Sequence, residues 1–100
     1  MRELRETFNK RWSSFKQLYK DDVLVIYSLS NGAFEVFKYK VKAPNKLIND
    51  FYEVYPSSED FGVWAWSCSN IKSVEKVLNH HFNGYGNKEK VLEILDFLGS

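Results

Sequence analysis

The chain has 100 residues, of which 44% are hydrophobic, 17% aromatic and 27% charged, and its net charge is +1. This length fits one domain, residues 1–100, and the aromatic content excludes an intrinsically disordered chain. Cys68 is the single cysteine, so no internal disulfide can form, and the charged N-terminus lacks the apolar core of a signal peptide. No apolar run approaches the ~20 residues that span a membrane, so we expect a cytoplasmic protein.

The first segment of the chain has an apolar stripe at helical spacing. Four residues recur at positions i, i+4, i+8 and i+11: Leu4, Phe8, Trp12 and Phe15. This pattern predicts an N-terminal helix that ends near Ser13-Ser14. Residues 15–19 then form either a short strand or the last turn of that helix, and we favour the strand.

A β-hairpin is the clearest element of the sequence. Two β-rich runs, residues 23–30 and 33–42, flank Asn31-Gly32, which favours a two-residue type I′ turn with Ser30 opposite Ala33. This pairing puts one apolar block on the face that helices should cover: Leu24, Ile26, Phe37 and Tyr39. The opposite face carries apolar and basic residues together: Val23, Val25, Tyr27, Leu29, Phe34, Val36, Lys38 and Lys40. We expect that face to be half-exposed or covered only by a loop.

The middle of the chain predicts short elements. Four apolar residues at helical spacing favour a short helix: Leu47, Ile48, Phe51 and Tyr52. Residues 55–60 predict a loop with one helical turn capped by a serine. Residues 62–67 alternate between smaller residues (Val63, Ala65, Ser67) and tryptophans (Trp64, Trp66), which predicts a strand. One side of that strand carries Trp64, Trp66 and Cys68. We expect this side to lie on the same face of the sheet as the apolar block of the hairpin and to face the helices.

Two helices are predicted at the C-terminus. Ser69 or Asn70 caps the first of them, whose apolar stripe is Ile71, Val74, Val77, Leu78 and Phe82. Residues 83–86 end it. Asn87 begins the second, with Val91, Leu92, Ile94, Leu95 and Leu98 apolar. The resulting order, α-β-β-β-β-α-α, predicts an α+β fold in which an antiparallel sheet of three to four strands has helices packed on one face.

Residues that could carry catalysis are few and poorly arranged. His80 and His81 point about 100° apart on a helix, so with one cysteine they do not supply the roughly four ligands of a zinc site. Cys68 ends an apolar strand, where a free cysteine is usually buried and inert. Gly84 and Gly86 follow a helix, whereas a phosphate-binding glycine loop follows a strand. We therefore expect no cofactor, no metal site and no enzymatic activity.

The first functional hypothesis is a small non-enzymatic module that binds a protein partner, as an inhibitor or accessory protein. The chain has more tyrosine and tryptophan than a core requires, and these residues dominate interface hot spots. Compact proteins of this size are common among accessory proteins of phages and mobile elements. This support is an analogy with a class of proteins and does not come from particular residues. The predicted surface consists of Tyr27, Phe34, Lys38, Lys40, Phe51, Tyr52, Tyr55, Glu59 and Asp60. A homodimer through the same sheet face is a subordinate form of this hypothesis.

The alternative hypothesis is a nucleic-acid-binding module that uses the basic face of the 23–42 hairpin. Its residues would be Lys38, Lys40 and Lys42, together with the basic residues of the N-terminus: Arg2, Arg5, Lys10, Arg11, Lys16 and Lys20. The predicted order of a helix followed by strands is similar to that of double-stranded RNA-binding modules. Their basic motif is absent, and a net charge of +1 is far from the strongly basic balance that such modules carry.

Overall fold

The computed structural model describes residues 1–10 and 12–99; Arg11, one of the basic residues above, lies outside these ranges. The elements in chain order are β1 (Thr7–Lys10), β2 (Ser13–Lys20), β3 (Leu24–Leu29), β4 (Phe34–Lys38), β5 (Val41–Lys42), β6 (Tyr52–Glu53), a short 3₁₀ helix (Ser58–Asp60), β7 (Ala65–Cys68), α1 (Ile71–His81) and α2 (Lys88–Gly99). In these ranges, five strands form one antiparallel sheet in the order β1-β2-β3-β4-β7, and β5 pairs with β6 separately. Both helices pack on one face of the large sheet, which confirms the α+β class, with more strands than predicted.

The predicted N-terminal helix is wrong, because β1 (Thr7–Lys10) and β2 (Ser13–Lys20) pair as antiparallel strands. Phe8 lies opposite Phe15 across this hairpin, and the two rings stack at a centroid distance of 4.6 Å. Leu4 and Phe8 are an even number of residues apart, a spacing that keeps side chains on one face of an extended chain as well as of a helix. The strand favoured for residues 15–19 is confirmed as part of β2.

The β3–β4 hairpin is confirmed, but its predicted register is wrong by one residue. Leu29 donates its N–H to the Ala33 carbonyl at 2.9 Å, and Gly32 donates to the Leu29 carbonyl at 3.0 Å. Gly32 has a φ of 89°. The loop therefore has three residues, a type I turn followed by a glycine in the left-handed region, instead of the two-residue type I′ turn. Ser28, in place of Leu29, lies opposite Phe34.

The shift in register exchanges the two faces of β4, because side chains alternate along a strand. Leu24 and Ile26 face the helices as predicted, with Val36 beside them. Phe37 and Tyr39, which were predicted there, pack on the opposite face. The buried helix-side cluster is Leu24, Ile26, Val36, Cys68, Val74, Leu78, Phe82, Val91 and Leu95. The buried cluster of the opposite face is Phe15, Val25, Tyr27, Phe37, Trp64 and Ala65.

The face opposite α1 and α2 is covered by a layer of loop segments, two short strands and the 3₁₀ helix. This covering layer consists of residues 1–6, β5, β6 and residues 54–61. The short helix predicted around residues 47–52 is wrong, because the Asn45 side chain closes a turn by accepting the N–H groups of Leu47 and Ile48. Three side chains from the second half of the layer pack on the aromatic cluster below: Val54, Tyr55 and Phe61. The prediction left two alternatives for this face, half-exposed or covered only by a loop. The face is covered, by loop segments together with two short strands and the 3₁₀ helix.

The predicted helix boundaries in the second half of the chain agree with the structure. Ser57 precedes the 3₁₀ helix and donates its N–H to the Asp60 carboxylate at 2.8 Å. Asn70 caps α1 by accepting the N–H of Ser73 at 2.9 Å, as a short polar side chain at this position does. Within the described ranges, neither helix combines the length and apolarity needed to cross a bilayer.

The two tryptophans near β7 lie on different faces of the sheet. Trp66 and Cys68 are on the helix side, as predicted, and the Trp66 ring stacks on His81 of α1 at a centroid distance of 4.1 Å. Trp64 precedes β7 and packs on the opposite face, edge-on to Phe37. The predicted placement of Trp64 under the helices is therefore wrong, because the strand begins at Ala65 and a turn precedes it.

Candidate functional site

An open groove of about 600 Å³ lies between β1 and the covering layer. We call it the β1 groove. Its lining comes from two segments that are far apart in sequence: Arg2, Glu3, Leu4, Arg5, Phe8, Asn9 and Lys10 from the first, and Ile48, Tyr52, Glu53, Tyr55, Pro56 and Ser57 from the second. The groove therefore exists only because the N-terminal hairpin and the covering layer pack side by side.

Packed aromatic rings form the floor of the β1 groove. Phe8 stacks on Phe15, and Tyr55 meets the Phe8 ring edge-on at a centroid distance of 5.2 Å. The Tyr55 hydroxyl donates to the Glu35 carboxylate. Burial raises the pKa of Tyr55, and the hydrogen bond to Glu35 raises it further, so the phenol stays uncharged. The floor is thus an apolar surface whose main polar group already has a partner.

Backbone pairing and one carboxylate fix the N-terminal wall of the groove. Arg2 donates its N–H to the Phe51 carbonyl at 2.8 Å and accepts the Glu53 N–H at 2.9 Å. The Glu53 carboxylate then accepts the Leu4 N–H at 2.8 Å. Residues 2–4 therefore continue the β5–β6 pair as a further extended segment.

Glu53 is a buried carboxylate whose charge is already compensated. Its side chain is 2% exposed, and the Lys20 ammonium lies 2.8 Å from Oε1. Burial alone would raise the pKa of Glu53, but hydrogen bonds from Lys20, Tyr39 and the Leu4 N–H together lower it. Glu53 is therefore an ionised structural anchor, and its negative charge is cancelled locally by Lys20.

Exposed positive charge surrounds the groove. Arg2, Arg5 and Lys10 all line it and are all exposed; we call these three side chains the rim cations. Glu3 is the acidic lining residue that remains once Glu53 is paired with Lys20. The lining thus presents an excess of positive charge to any ligand, although the whole chain is close to neutral.

A second cavity extends the groove toward an exposed tryptophan. This cavity, of about 430 Å³, shares Lys10, Tyr55 and Pro56 with the β1 groove, and Trp12 also lines it. Trp12 is 99% exposed. A large ring left in water beside a groove gains apolar burial when a partner covers it, which is why tryptophan is enriched in binding hot spots.

The hairpin residues proposed for binding do not share one surface. Tyr27 is 0% exposed, and its hydroxyl donates to the Arg5 carbonyl, so its side chain is part of the core. Phe34 packs on the helix side of the sheet. Lys38 lines a cavity beside residues 81–86, and the Lys40 ammonium lies 4.4 Å from the centre of the Trp64 ring on the other side. The shifted register separates these residues, and the covering layer hides the hairpin face proposed for a homodimer; dimerisation itself stays a prediction.

Residues 51–60 are distributed over the covering layer. Tyr52 and Tyr55 line the β1 groove, whereas Phe51 is exposed beside it. Asp60 is held by the N–H of Ser57, and this hydrogen bond lowers the pKa of its carboxyl. Glu59 is exposed on the same 3₁₀ turn. Two of the predicted binding residues therefore belong to the groove.

Nucleophilic and metal chemistry find little support in the described residues. Cys68 is buried, and burial raises the pKa of its thiol to about 11, so it stays protonated at neutral pH. In residues 1–10 and 12–99, no three His, Cys, Asp or Glu side chains gather as metal ligands would.

Phe8 and Trp12 line the groove and its extension but were not predicted as binding residues. Both were assigned to the apolar stripe of a helix, and the rim cations were predicted to bind only in the nucleic-acid alternative. One available signal was the symmetric placement of Phe8 and Phe15 about residues 11 and 12. Such symmetry is also what a two-residue hairpin loop produces.

Comparisons with known proteins do not assign the chain to a family. No protein-family model, no curated protein and no solved structure matches it significantly. The β1 groove must therefore be interpreted from its own shape, charge and exposed side chains.

Proposed function

We propose that the protein is a cytoplasmic, non-enzymatic binding module that recognises a protein partner through the β1 groove. The observation that carries the proposal is the fully exposed Trp12 beside an open groove with an aromatic floor and the rim cations. Aromatic and arginine side chains are the residues that most often dominate protein interfaces. Such a module acts as an inhibitor or accessory protein by occupying a surface of its partner.

The polar groups near the groove favour binding over catalysis. Glu53 is paired with Lys20, and the Tyr55 hydroxyl donates to Glu35. A general acid or base needs a free protonation site near its substrate, and these two groups are committed to structural partners. The aromatic rings and rim cations, in contrast, are available without any rearrangement.

The arrangement of basic residues favours a protein partner over nucleic acid. Lys38 and Lys40 fall on different sides of the structure, and the Lys40 ammonium already lies over Trp64. A single-stranded nucleic acid is bound by a continuous basic groove with stacking rings. The rim cations form only a short positive region, so we make nucleic-acid binding an alternative outcome of the experiment below.

The test is an affinity capture with matched variants. The tagged chain is incubated with lysate of the organism that encodes it, with and without nuclease, and the retained proteins are quantified by mass spectrometry. We expect Trp12→Ala to lower retention of the specific partner at least about tenfold, as loss of a hot-spot side chain does. The control is Val63→Ala, which truncates another exposed apolar residue (71% exposed) outside the groove lining.

Two results would contradict the proposal. Retention of the same proteins by Trp12→Ala and by the wild-type chain would show that the groove and its extension are not the binding surface. Loss of every retained protein after nuclease treatment would instead favour the nucleic-acid alternative, especially if retention of a labelled oligonucleotide falls steeply with salt.

A further inference from the structure

We infer that the partner enters the β1 groove as an extended acidic segment that adds a strand to the free edge of β1. This inference rests on the protein-binding function proposed above and specifies how the partner is held. It joins three observations: an outward-facing backbone edge, a groove that follows this edge, and the positive charge around it.

β1 is an edge strand of the five-stranded sheet. Glu6 accepts the N–H of Gln17 at 2.7 Å, so the hydrogen-bonded positions of β1 toward β2 are residues 6, 8 and 10. Alternation then directs the N–H and C=O groups of Thr7 and Asn9 away from β2. These two residues present the donors and acceptors with which an incoming strand pairs.

The groove follows the edge of β1. Its lining includes three consecutive residues of the strand, Phe8, Asn9 and Lys10. Side chains at consecutive strand positions point to opposite faces of a sheet, so a groove that touches all three lies along the edge. An occupant of this groove is therefore placed against the outward backbone groups of Asn9 and not only over an aromatic face.

The opposite edge of the sheet is less open. There, alternation directs the Ala65 carbonyl outward, and that carbonyl already accepts the Gly62 N–H at 2.7 Å. A local turn of the chain therefore occupies part of the β7 edge. β1 is the edge with a groove beside it.

Charge indicates which kind of segment fits. Arg2, Arg5 and Lys10 are exposed at the groove, so aspartate or glutamate side chains on an added strand would meet opposite charges, which favours encounter and fixes orientation. A second copy of this chain is a poor occupant, because its β1 segment, residues 6–10, carries one acidic and one basic side chain, Glu6 and Lys10, and is therefore not an acidic segment. The charge therefore selects an acidic segment of another protein.

The first experiment identifies the chemistry of the occupant. A random-peptide display library is selected against the immobilised chain, and enriched peptides are labelled and titrated by fluorescence anisotropy. We expect the enriched peptides to combine aspartate or glutamate with β-forming residues, and their affinity to weaken as salt rises. Enrichment of basic or neutral peptides, or of none, would overturn the acidic-segment inference.

The second experiment tests strand addition with a backbone change. Asn9→Pro removes an N–H that points away from β2, so the β1–β2 ladder is kept, whereas Asn9→Ala removes only the side chain. We expect Asn9→Pro to weaken the enriched peptide at least about tenfold, and Asn9→Ala to change it less than about threefold. The circular dichroism spectrum of each variant shows whether the sheet is retained.

A measurement on the unaltered chain avoids any effect of proline on folding. Amide hydrogen exchange is followed by NMR with and without the enriched peptide. We expect the amides of Thr7 and Asn9 to exchange at least about tenfold more slowly in the complex, because a strand hydrogen bond protects an amide.

The outcomes separate this inference from the function on which it rests. If Asn9→Pro binds like Asn9→Ala and the two amides exchange unchanged, strand addition is wrong. If Trp12→Ala still loses the captured partner in that case, the groove binds protein through side chains and the proposed function stands. If the chain retains an oligonucleotide and no peptide, both proposals fail.

Discussion

At the residue scale, the same side-chain type serves opposite roles in this protein. Trp64 is 8% exposed and packs against Phe37 under the Lys40 ammonium, whereas Trp12 is surrounded by solvent. In the sequence, both tryptophans belong to periodic patterns of apolar residues and cannot be distinguished. Their surroundings decide that one stabilises the fold and that the other is available for a partner.

Substitution of the two tryptophans should therefore change the free energy of unfolding by very different amounts. Trp64→Ala should lower the free energy of unfolding by about 3–5 kcal/mol, because it opens a cavity in the buried aromatic cluster. Trp12→Ala should change it by less than about 0.5 kcal/mol, as expected of an exposed site. Urea denaturation followed by circular dichroism measures both values. Equal stability of the two variants would contradict the assignment of Trp64 to the core.

At the scale of the element, the β3–β4 loop determines which side chains of β4 face the helices. Gly32 has a positive φ of 89° and closes the three-residue loop. The Asn-Gly pair correctly predicts a hairpin, but it is compatible with more than one loop length. The three-residue loop directs Val36 to the helix side and Phe37 to the aromatic cluster.

Substitutions at Gly32 should therefore act through the backbone. A Cβ atom at this position meets no heavy atom within 4 Å, so no steric clash with a neighbour is involved. We expect Gly32→Val to cost about 1–2 kcal/mol in the free energy of unfolding, because a branched residue disfavours the left-handed region. Gly32→Asn should cost clearly less, since asparagine adopts this conformation more readily. Thermal unfolding of both variants measures the difference, and equal losses would contradict this explanation.

At the scale of the whole molecule, a partly buried ion pair ties the covering layer to the sheet. Glu53 lies in β6 and binds Lys20 of β2 as well as the Leu4 N–H. The N-terminal wall of the β1 groove therefore depends on two long-range contacts of Glu53. Lys20 is 33 positions away from it in the chain, and Leu4 is 49 positions away. Local sequence patterns carry no information about such a pair.

Stability should accordingly fall in acid. Because the pKa of Glu53 is lowered in the folded state, its stabilising contribution is complete above the unfolded pKa of about 4.3 and is lost as the pH falls through the folded pKa. Glu53→Gln should lower the free energy of unfolding at neutral pH by about 2 kcal/mol and should flatten its dependence on acidic pH. Urea denaturation at a series of pH values measures both effects. An unchanged acid dependence in Glu53→Gln would show that other carboxylates are responsible.

The candidate site was predictable only in part. Tyr52 and Tyr55 were named from an aromatic and acidic segment, and both line the groove. Phe8 and Trp12 were not named as binding residues, because an even spacing of apolar residues fits a strand as well as a helix. Lys10 was named only for the nucleic-acid alternative. Tyr27 was named as a surface residue, but it is buried, because a layer without helical periodicity covers its face.

The sequence by itself determined the α+β class, the β3–β4 hairpin, a polar cap of α1 at Ser69 or Asn70, and the two C-terminal helices. These features depend on residues close together in the chain, such as a side chain that caps the N–H three residues later. Only the tertiary structure decided the register of β4, the N-terminal hairpin and the β1 groove. Each of these depends on which side chains two distant segments bury together. In a strand, a register shift of one residue moves every side chain to the other face of the sheet.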